Sequence, residues 1–283
     1  SYACASESVV LAINGYERPH DVGPGEAIFV GQDRSVAMKR VSDKPHRPCV
    51  FEFVYFARPD SFLDDVSVYK TRRRFGEALA TQWRERGAPE PDVIVPIPDS
   101  SRDAALAMAQ AMGVEYREGL VKNRYIGRTF IMPNQQSRST SVRRKLNPIP
   151  LEFEGKRVML VDDSIVRGTT SRRIVDTVRS SGAEKVYFAV TSPPLVAPCP
   201  YGIDMATKKD FVAEGKSIDE VAEFIGVDHL LYLDRDEMNR AVQTGNDKLE
   251  KFCNACFTGD YPTGDISLER MRSIAEEREA NAG

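Results

Sequence analysis

Residues Val158 to Thr170, VMLVDDSIVRGTT, constrain the fold of this chain more than any other stretch. Four apolar residues, Val158 to Val161, run directly into two carboxylates and then a short loop. The pattern predicts a buried strand whose end opens into a helix near Thr170. Two acids at a strand end would repel a phosphate, so Asp162 and Asp163 need another task. That task is accepting hydrogen bonds from ribose hydroxyls, directly or through hydrated Mg²⁺, which takes one or two carboxylates plus substrate oxygens. Gly168, Thr169 and Thr170 lie where the helix begins, and its free N–H groups with the two hydroxyls make a cradle for a phosphate dianion. Taken alone, the acid pair equally fits a strand end capping an ordinary helix. The patterns GxGxxG and GxxxxGK[ST] are absent from this stretch, which excludes dinucleotide-binding and P-loop readings.

The same alternation recurs along the chain. FEFVYFA (Phe51 to Ala57) is predicted as a strand, and Thr71 to Gly87 as a charged amphipathic helix. DVIVPIP (Asp92 to Pro98) predicts a buried parallel strand, followed by a small-residue helix from Arg102 to Met112 stopped by Gly113. KRVMLVDD, a helix from about Thr170 to Ser181 and KVYFAVTS repeat the unit, and HLLYLD (His229 to Asp234) predicts a last strand. The expected class is α/β: a twisted, mainly parallel sheet with helices on both faces, with ligands beyond the carboxyl ends of the strands. SESVVLAI, EAIFVG and VAMKRV, by contrast, are predicted as short strands between Gly and Pro turns, too few to close a sheet. With Ser1 in place of an initiator Met, they read as the tail of an upstream domain. The expected divisions are 1–45, 46–240 and 241–283.

Composition narrows the partners. A formal net charge of −3 in 283 residues, with 29% charged residues, gives no argument for a nucleic-acid or membrane partner. No apolar run is long enough to cross a bilayer and no signal-peptide pattern is present, so the expectation is a soluble, cytoplasmic protein. Five cysteines, an odd and scattered set, argue against a disulfide framework.

Two further segments carry charge chemistry. PIPDSSRD (Pro96 to Asp103) again follows a buried strand; Ser100 and Ser101 can offer hydroxyls and backbone N–H groups to a pyrophosphate or its metal, although a plain capped helix start fits too. Lys122 to Lys145 holds seven Lys or Arg side chains and no Asp or Glu. A solvated loop or an RNA-binding patch could look like this. The rest of the chain lacks the aromatic platforms of common RNA modules, and a lid over a polyanionic substrate fits better.

VDDSIVRGTT is the signature of type I phosphoribosyltransferases. With YFARPDS, PIPDSS, KNRYIGRTFI and SVRRKLNPI, it closely resembles one family, the glutamine phosphoribosylpyrophosphate amidotransferases, from about Ser1 to Thr263. The resemblance implies an enzyme that joins ammonia to phosphoribosyl pyrophosphate (PRPP), giving phosphoribosylamine at the first committed step of purine synthesis. It places Asp162 and Asp163, with Ser100, at the family's magnesium and PRPP positions, and Ser164, Ile165, Val166, Arg167, Gly168, Thr169 and Thr170 in the 5′-phosphate loop. Asp99, Ser100 and Ser101 become pyrophosphate-side candidates, and Lys122, Tyr125 and Arg128 match the loop that closes on PRPP. The family's glutaminase nucleophile is an N-terminal cysteine. Ser1 departs from it and ASESVV matches the far end of that domain, so ammonia but not glutamine is the expected nitrogen source. Feedback inhibition by purine nucleotides and a homo-oligomeric assembly are implied by the resemblance only.

The cysteines leave alternatives open on their own. Cys253 and Cys256 form CNAC, which fits zinc, iron–sulfur, redox chemistry or buried thiols. Some members of the family carry a 4Fe–4S cluster, and Cys49, Cys199, Cys253 and Cys256 fall at the positions that branch uses, giving the four thiolates such a cluster needs. Cys4 belongs to no such set and is predicted as a buried strand residue. Two other readings compete: another PRPP-site protein, such as a nucleobase phosphoribosyltransferase or a PRPP-sensing regulator, and a module that binds PRPP and nucleotides without turnover.

Overall fold

The computed structural model describes residues 2–17, 19–123, 146–203 and 211–267, with residues 270, 271 and 273. Tyr125, Arg128 and most of the basic segment 122–145, like most of the charged C-terminal tail, lie outside the described residues.

The five-stranded sheet is built from β5 (Val93–Pro96), β6 (Glu115–Tyr116), β9 (Arg157–Asp162), β10 (Lys185–Val190) and β11 (His229–Tyr232). Its spatial order is β11-β10-β9-β5-β6, and every pairing is parallel. The order reverses between β5 and β9, so the chain leaves these neighbours in opposite directions and opens a crevice beyond their carboxyl ends.

Alternation along the strands sorts their side chains into two cores. Ile94, Met159, Val161, Tyr187, Ala189 and Leu231 face one core, filled by Phe75, Leu79 and Trp83 of α2 (Val68–Glu85), Met108 of α3 (Arg102–Met112) and Met238 of α6 (Arg235–Gln243). Val93, Val95, Val158, Leu160, Val186, Phe188 and Val190 face the other, filled by Ile174, Val175 and Val178 of α4 (Thr169–Ser180) and by Val221 and Ile225 of α5 (Ile218–Ile225). Helices therefore cover both faces, as the continuous apolar strands require. The approach of α2 to α3 depends on Gly76: a Cβ there would stand 2.0 Å from the Ala104 carbonyl oxygen.

Small antiparallel hairpins surround this frame. They are β1 (Glu26–Val30) with β2 (Val36–Arg40), β3 (Phe62–Leu63) with β4 (Val66–Ser67), and β7 (Leu120–Lys122) with β8 (Leu146–Pro148).

Two predicted strands are helical instead. SESVVLAI contains α1 (Ser8–Ile13), whose start is tied to the 58–62 segment by side chains of Glu7 and Ser8. Glu7 Oε2 accepts from the Arg58 amide at 2.8 Å and the Ser61 hydroxyl at 2.6 Å, and Ser8 Oγ accepts from the Phe62 amide at 3.0 Å. FEFVYFA forms a short π-helix over Glu52–Phe56. Its carbonyl end is closed by a residue distant in sequence: Arg72 donates from Nε to Phe53 O at 3.0 Å, and from Nη2 to Tyr55 O at 3.1 Å and Ala57 O at 2.7 Å. An apolar run this short fits either state, and a tertiary partner decided it. Cys4 is also corrected: it is exposed and lies outside any strand.

Candidate functional site

The site grows out of the strand ends on either side of the order reversal. After β5 the chain turns through Ile97 to Ser101 into α3, and the Pro98–Asp99 peptide bond is cis. After β9 it turns through Asp163 to Gly168 into α4. Ser100 Oγ donates to Asp163 Oδ2, joining the two loops across the crevice. Ser164 Oγ donates to Asp163 Oδ1 at 2.6 Å, and the Asp163 amide donates to Asp162 Oδ1 at 2.9 Å. From β10, the Thr191 amide donates to the Asp162 carbonyl at 3.0 Å.

Electrostatics mark the acid pair. Burial, then the charge of Asp163, pushes the Asp162 carboxyl well above the usual carboxylate range. Burial also raises Asp163, opposed by the hydroxyls of Ser100 and Ser164 and by the Arg72 guanidinium. Arg72 is 4% exposed; burial lowers its pKa, and the carboxylates acting back on it are Asp163, Asp103 and Glu7. One residue thus closes the π-helix and adds a favourable charge near Asp163.

The phosphate-loop candidates divide by orientation. Ile165 is 1% exposed within the second core, so its side chain is structural. Val166 receives the Val212 amide on its carbonyl at 2.8 Å, fixing the loop. Gly168 has φ 69°, and a Cβ there would come 2.9 Å from the Phe224 ring, so glycine is required. No side chain at this cap position bonds the first amides of α4, and Arg167, Thr169 and Thr170 are exposed around that helix start.

On the β5 side the expectation for Ser101 is corrected. It is 1% exposed and its hydroxyl donates to the Ile97 carbonyl, so it shapes the turn and offers a ligand nothing from its side chain. Lys122 Nζ sits 2.5 Å from Asp99 Oδ2. Sequence reasoning missed Arg72 and Thr191 beside the acid pair. Arg72 is an ordinary basic residue of a helix, with no motif to mark it. A cavity of about 420 Å³ at the start of α3 is lined by Pro59, Asp60, Phe62, Ser67, Tyr69 and Asp103.

Of the four sequence-selected cysteines, Cys199 and Cys256 are buried in the first core, Cys49 packs against it, and Cys253 is their neighbour. Cys49 and Cys253 face each other in a parallel bridge, with Val50 N donating to Cys253 O at 3.3 Å and Cys253 N to Pro48 O at 2.9 Å. The amides of Val196 and Ala197 bond the Cys256 carbonyl, bringing the segment before Cys199 alongside α7 (Ala255–Thr258). Burial pushes the Cys49 thiol up to about 12, with Cys253 adding to it. Burial, then Cys49, Cys199 and Cys253, raise Cys256 further. Among the described residues no group of three or more His, Cys, Asp or Glu side chains is arranged to hold a metal ion, so the thiols are neighbours rather than a formed ligand set.

The parallel sheet with helices on both faces and the paired strand-end loops are those of a type I phosphoribosyltransferase fold, and the sequence profile of the phosphoribosyl transferase domain matches residues 73–194. The chain is similar over nearly all its length to amidophosphoribosyltransferases. It is 49% identical over 282 residues to that of Pasteurella multocida, covering 98% of this chain and 56% of the relative. With the enzyme of Escherichia coli it shares 46% identity over 270 residues, 94% of this chain and 53% of the relative. Among solved structures, glutamine PRPP amidotransferase from B. subtilis, complexed with ADP and GMP, superposes with a TM-score of 0.80 at 40% identity, covering 94% of this chain and 58% of that one. The chain thus spans little more than half the length of these relatives.

Proposed function

We propose that this chain carries the transferase site of an amidophosphoribosyltransferase: ammonia attacks the anomeric carbon of PRPP, the bond to pyrophosphate breaks, and 5-phosphoribosylamine forms. The observation that supports this most is the Ser100–Asp163 hydrogen bond, which sets a pyrophosphate-side loop against a ribose-side acid pair. In this reading the amides of α4 with Ser164, Thr169 and Thr170 hold the 5′-phosphate, and Asp162 and Asp163 orient the ribose. Asp99, Ser100 and Lys122 face the leaving group, with Tyr125 and Arg128 closing over it. Positioning and electrostatics suffice, since displacement needs no covalent enzyme intermediate.

Mg²⁺ fits the donor set, because the buried Asp163 and half-buried Asp162 carboxyls, which repel one another beside the Ser100 hydroxyl, suit a divalent cation. When bound it would offset the charge of the departing pyrophosphate. By residue type and proximity we also assign Cys49, Cys199, Cys253 and Cys256 to a 4Fe–4S cluster, around which the four sulfurs would have to draw together, with zinc as the competing occupant. We further propose that residues 1–45 close a glutaminase-type unit, that 46–240 form the transferase and that 241–283 form a C-terminal segment. The exposed apolar side chains of the β1–β2 hairpin, Phe29, Val30, Val36 and Met38, support the first division. Glutamine as nitrogen source in the whole protein, purine nucleotides as inhibitors, a homo-oligomeric state and a cytoplasmic location belong to the same reading. No helix of the described residues is long and apolar enough to cross a membrane.

The deciding experiment is ammonia-dependent release of pyrophosphate from PRPP. Release that needs both substrates supports transfer; PRPP binding with no release at any ammonia concentration replaces it with a silent binding module. Iron and acid-labile sulfide measured on anaerobically purified protein test the cluster, and stoichiometric zinc without iron would reject it.

A further inference from the structure

We propose that Arg102 is a contact for the pyrophosphate group, held ready by Asp99 and Glu118. The inference rests on the PRPP reading above and deepens it.

Arg102 opens α3, three residues after Asp99, on the loop that carries Ser100. It belongs to a line of alternating charges. Lys122 Nζ lies 2.5 Å from Asp99, Arg102 Nη1 is 3.8 Å from the same carboxylate, and Arg102 Nη2 is 3.2 Å from Glu118 Oε2. Tyr116 in turn donates to Glu118 at 2.6 Å. The four charged side chains are 41–54% exposed, so these are screened surface pairs that exchange partners at little cost.

The guanidinium is poorly satisfied where it stands. Its five donors suit the paired oxygens of a phosphate or carboxylate. Yet its contacts to Asp99 and Glu118 are ion pairs without hydrogen-bond geometry, and its Nε is buried with no hydrogen-bond partner among the described residues. A diphosphate at the Ser100 loop would offer several oxygens to this fork and to Lys122 together, a better match than one shared carboxylate. Asp99 and Glu118 then act as internal anions, keeping two cations beside the loop until a stronger anion draws them away.

Calorimetric titration of the wild-type chain, Arg102→Ala, Arg102→Lys and Glu118→Gln tests this, using PRPP, inorganic pyrophosphate and ribose 5-phosphate, each with Mg²⁺. Arg102→Ala should weaken PRPP and pyrophosphate about fivefold, the size of one partly exposed charge contact, and leave ribose 5-phosphate unchanged. Arg102→Lys should keep part of the affinity, and Glu118→Gln, which removes a competing anion, should tighten both diphosphates. Unchanged diphosphate affinity in Arg102→Ala overturns the proposal, as does an equal loss for ribose 5-phosphate. Wild-type protein that binds no PRPP would remove the functional reading and this inference with it. PRPP binding indifferent to Arg102 would remove this inference alone.

Discussion

Ser100 Oγ donates to Oδ2 of Asp163, although 63 residues separate them in the chain. The bond spans the one place where strand order reverses, so it ties together two loops that no backbone pairing connects. Ser100→Ala should leave the fold intact and reduce affinity for PRPP about tenfold, through loss of one charge-assisted hydrogen bond and the alignment it gives. Titration together with a melting curve checks this; a fall in melting temperature as large as that of a core mutant would make the contact structural instead.

Asp162 presents function and stability in opposition. Its carboxyl is raised by burial and by Asp163, so its charged form is disfavoured in the folded chain relative to the unfolded one. Stability from this group is therefore full below the unfolded value of about 4 and falls as pH rises through the folded value. Asp162→Asn should melt higher than wild type at neutral pH, lose that advantage in acid, and turn over PRPP on the order of 100-fold more slowly. Melting curves at several pH values read the first part.

Asp228 behaves in the reverse sense. Burial would raise it, but the Val186 amide at 2.9 Å, Lys185 at 3.0 Å and Arg179 at 2.6 Å outweigh burial and hold it below the usual carboxylate range. Its contribution is present above about pH 4 and disappears as pH falls through the folded value. Asp228→Asn should destabilise by about 1 kcal/mol at pH 7, with the difference from wild type vanishing in acid. Urea unfolding at both pH values measures it.

Gly76→Ala would set a methyl group against the Ala104 carbonyl and force α2 away from α3. A loss of about 2–3 kcal/mol is expected, typical of overpacking between rigid elements. Arg72→Met should cost about 3 kcal/mol, because it leaves three carbonyls of the 53–57 segment without their donor. Limited proteolysis should then cut near residues 52–58, and wild-type resistance there in the variant would refute the role given to Arg72.

The sheet and its acid pair were legible because their determinants are local. Apolar runs ending in Asp162 and Pro96 name strands on sight, and Gly113 stops α3 where expected. What escaped depended on distant partners. The Phe51–Ala57 run was misread because Arg72 selects its state from another element. Ser101 looked like a ligand group because nothing in the sequence shows that its hydroxyl turns back to Ile97. The helix Ile218–Ile225 did carry a local signal that went unused, the Ser217–Glu220 capping box with Gly226 after its end.

In β9 successive side chains serve opposite helical layers, Met159 and Val161 one, Leu160 the other. The strand therefore keeps count for the whole molecule. Losing or gaining a single residue within it would swap the tenants of both layers and turn the two acids to each other's stations. Change in this region can proceed by replacing one side chain with another of similar bulk. Changes of length are confined to the connections that lead away from the strand ends.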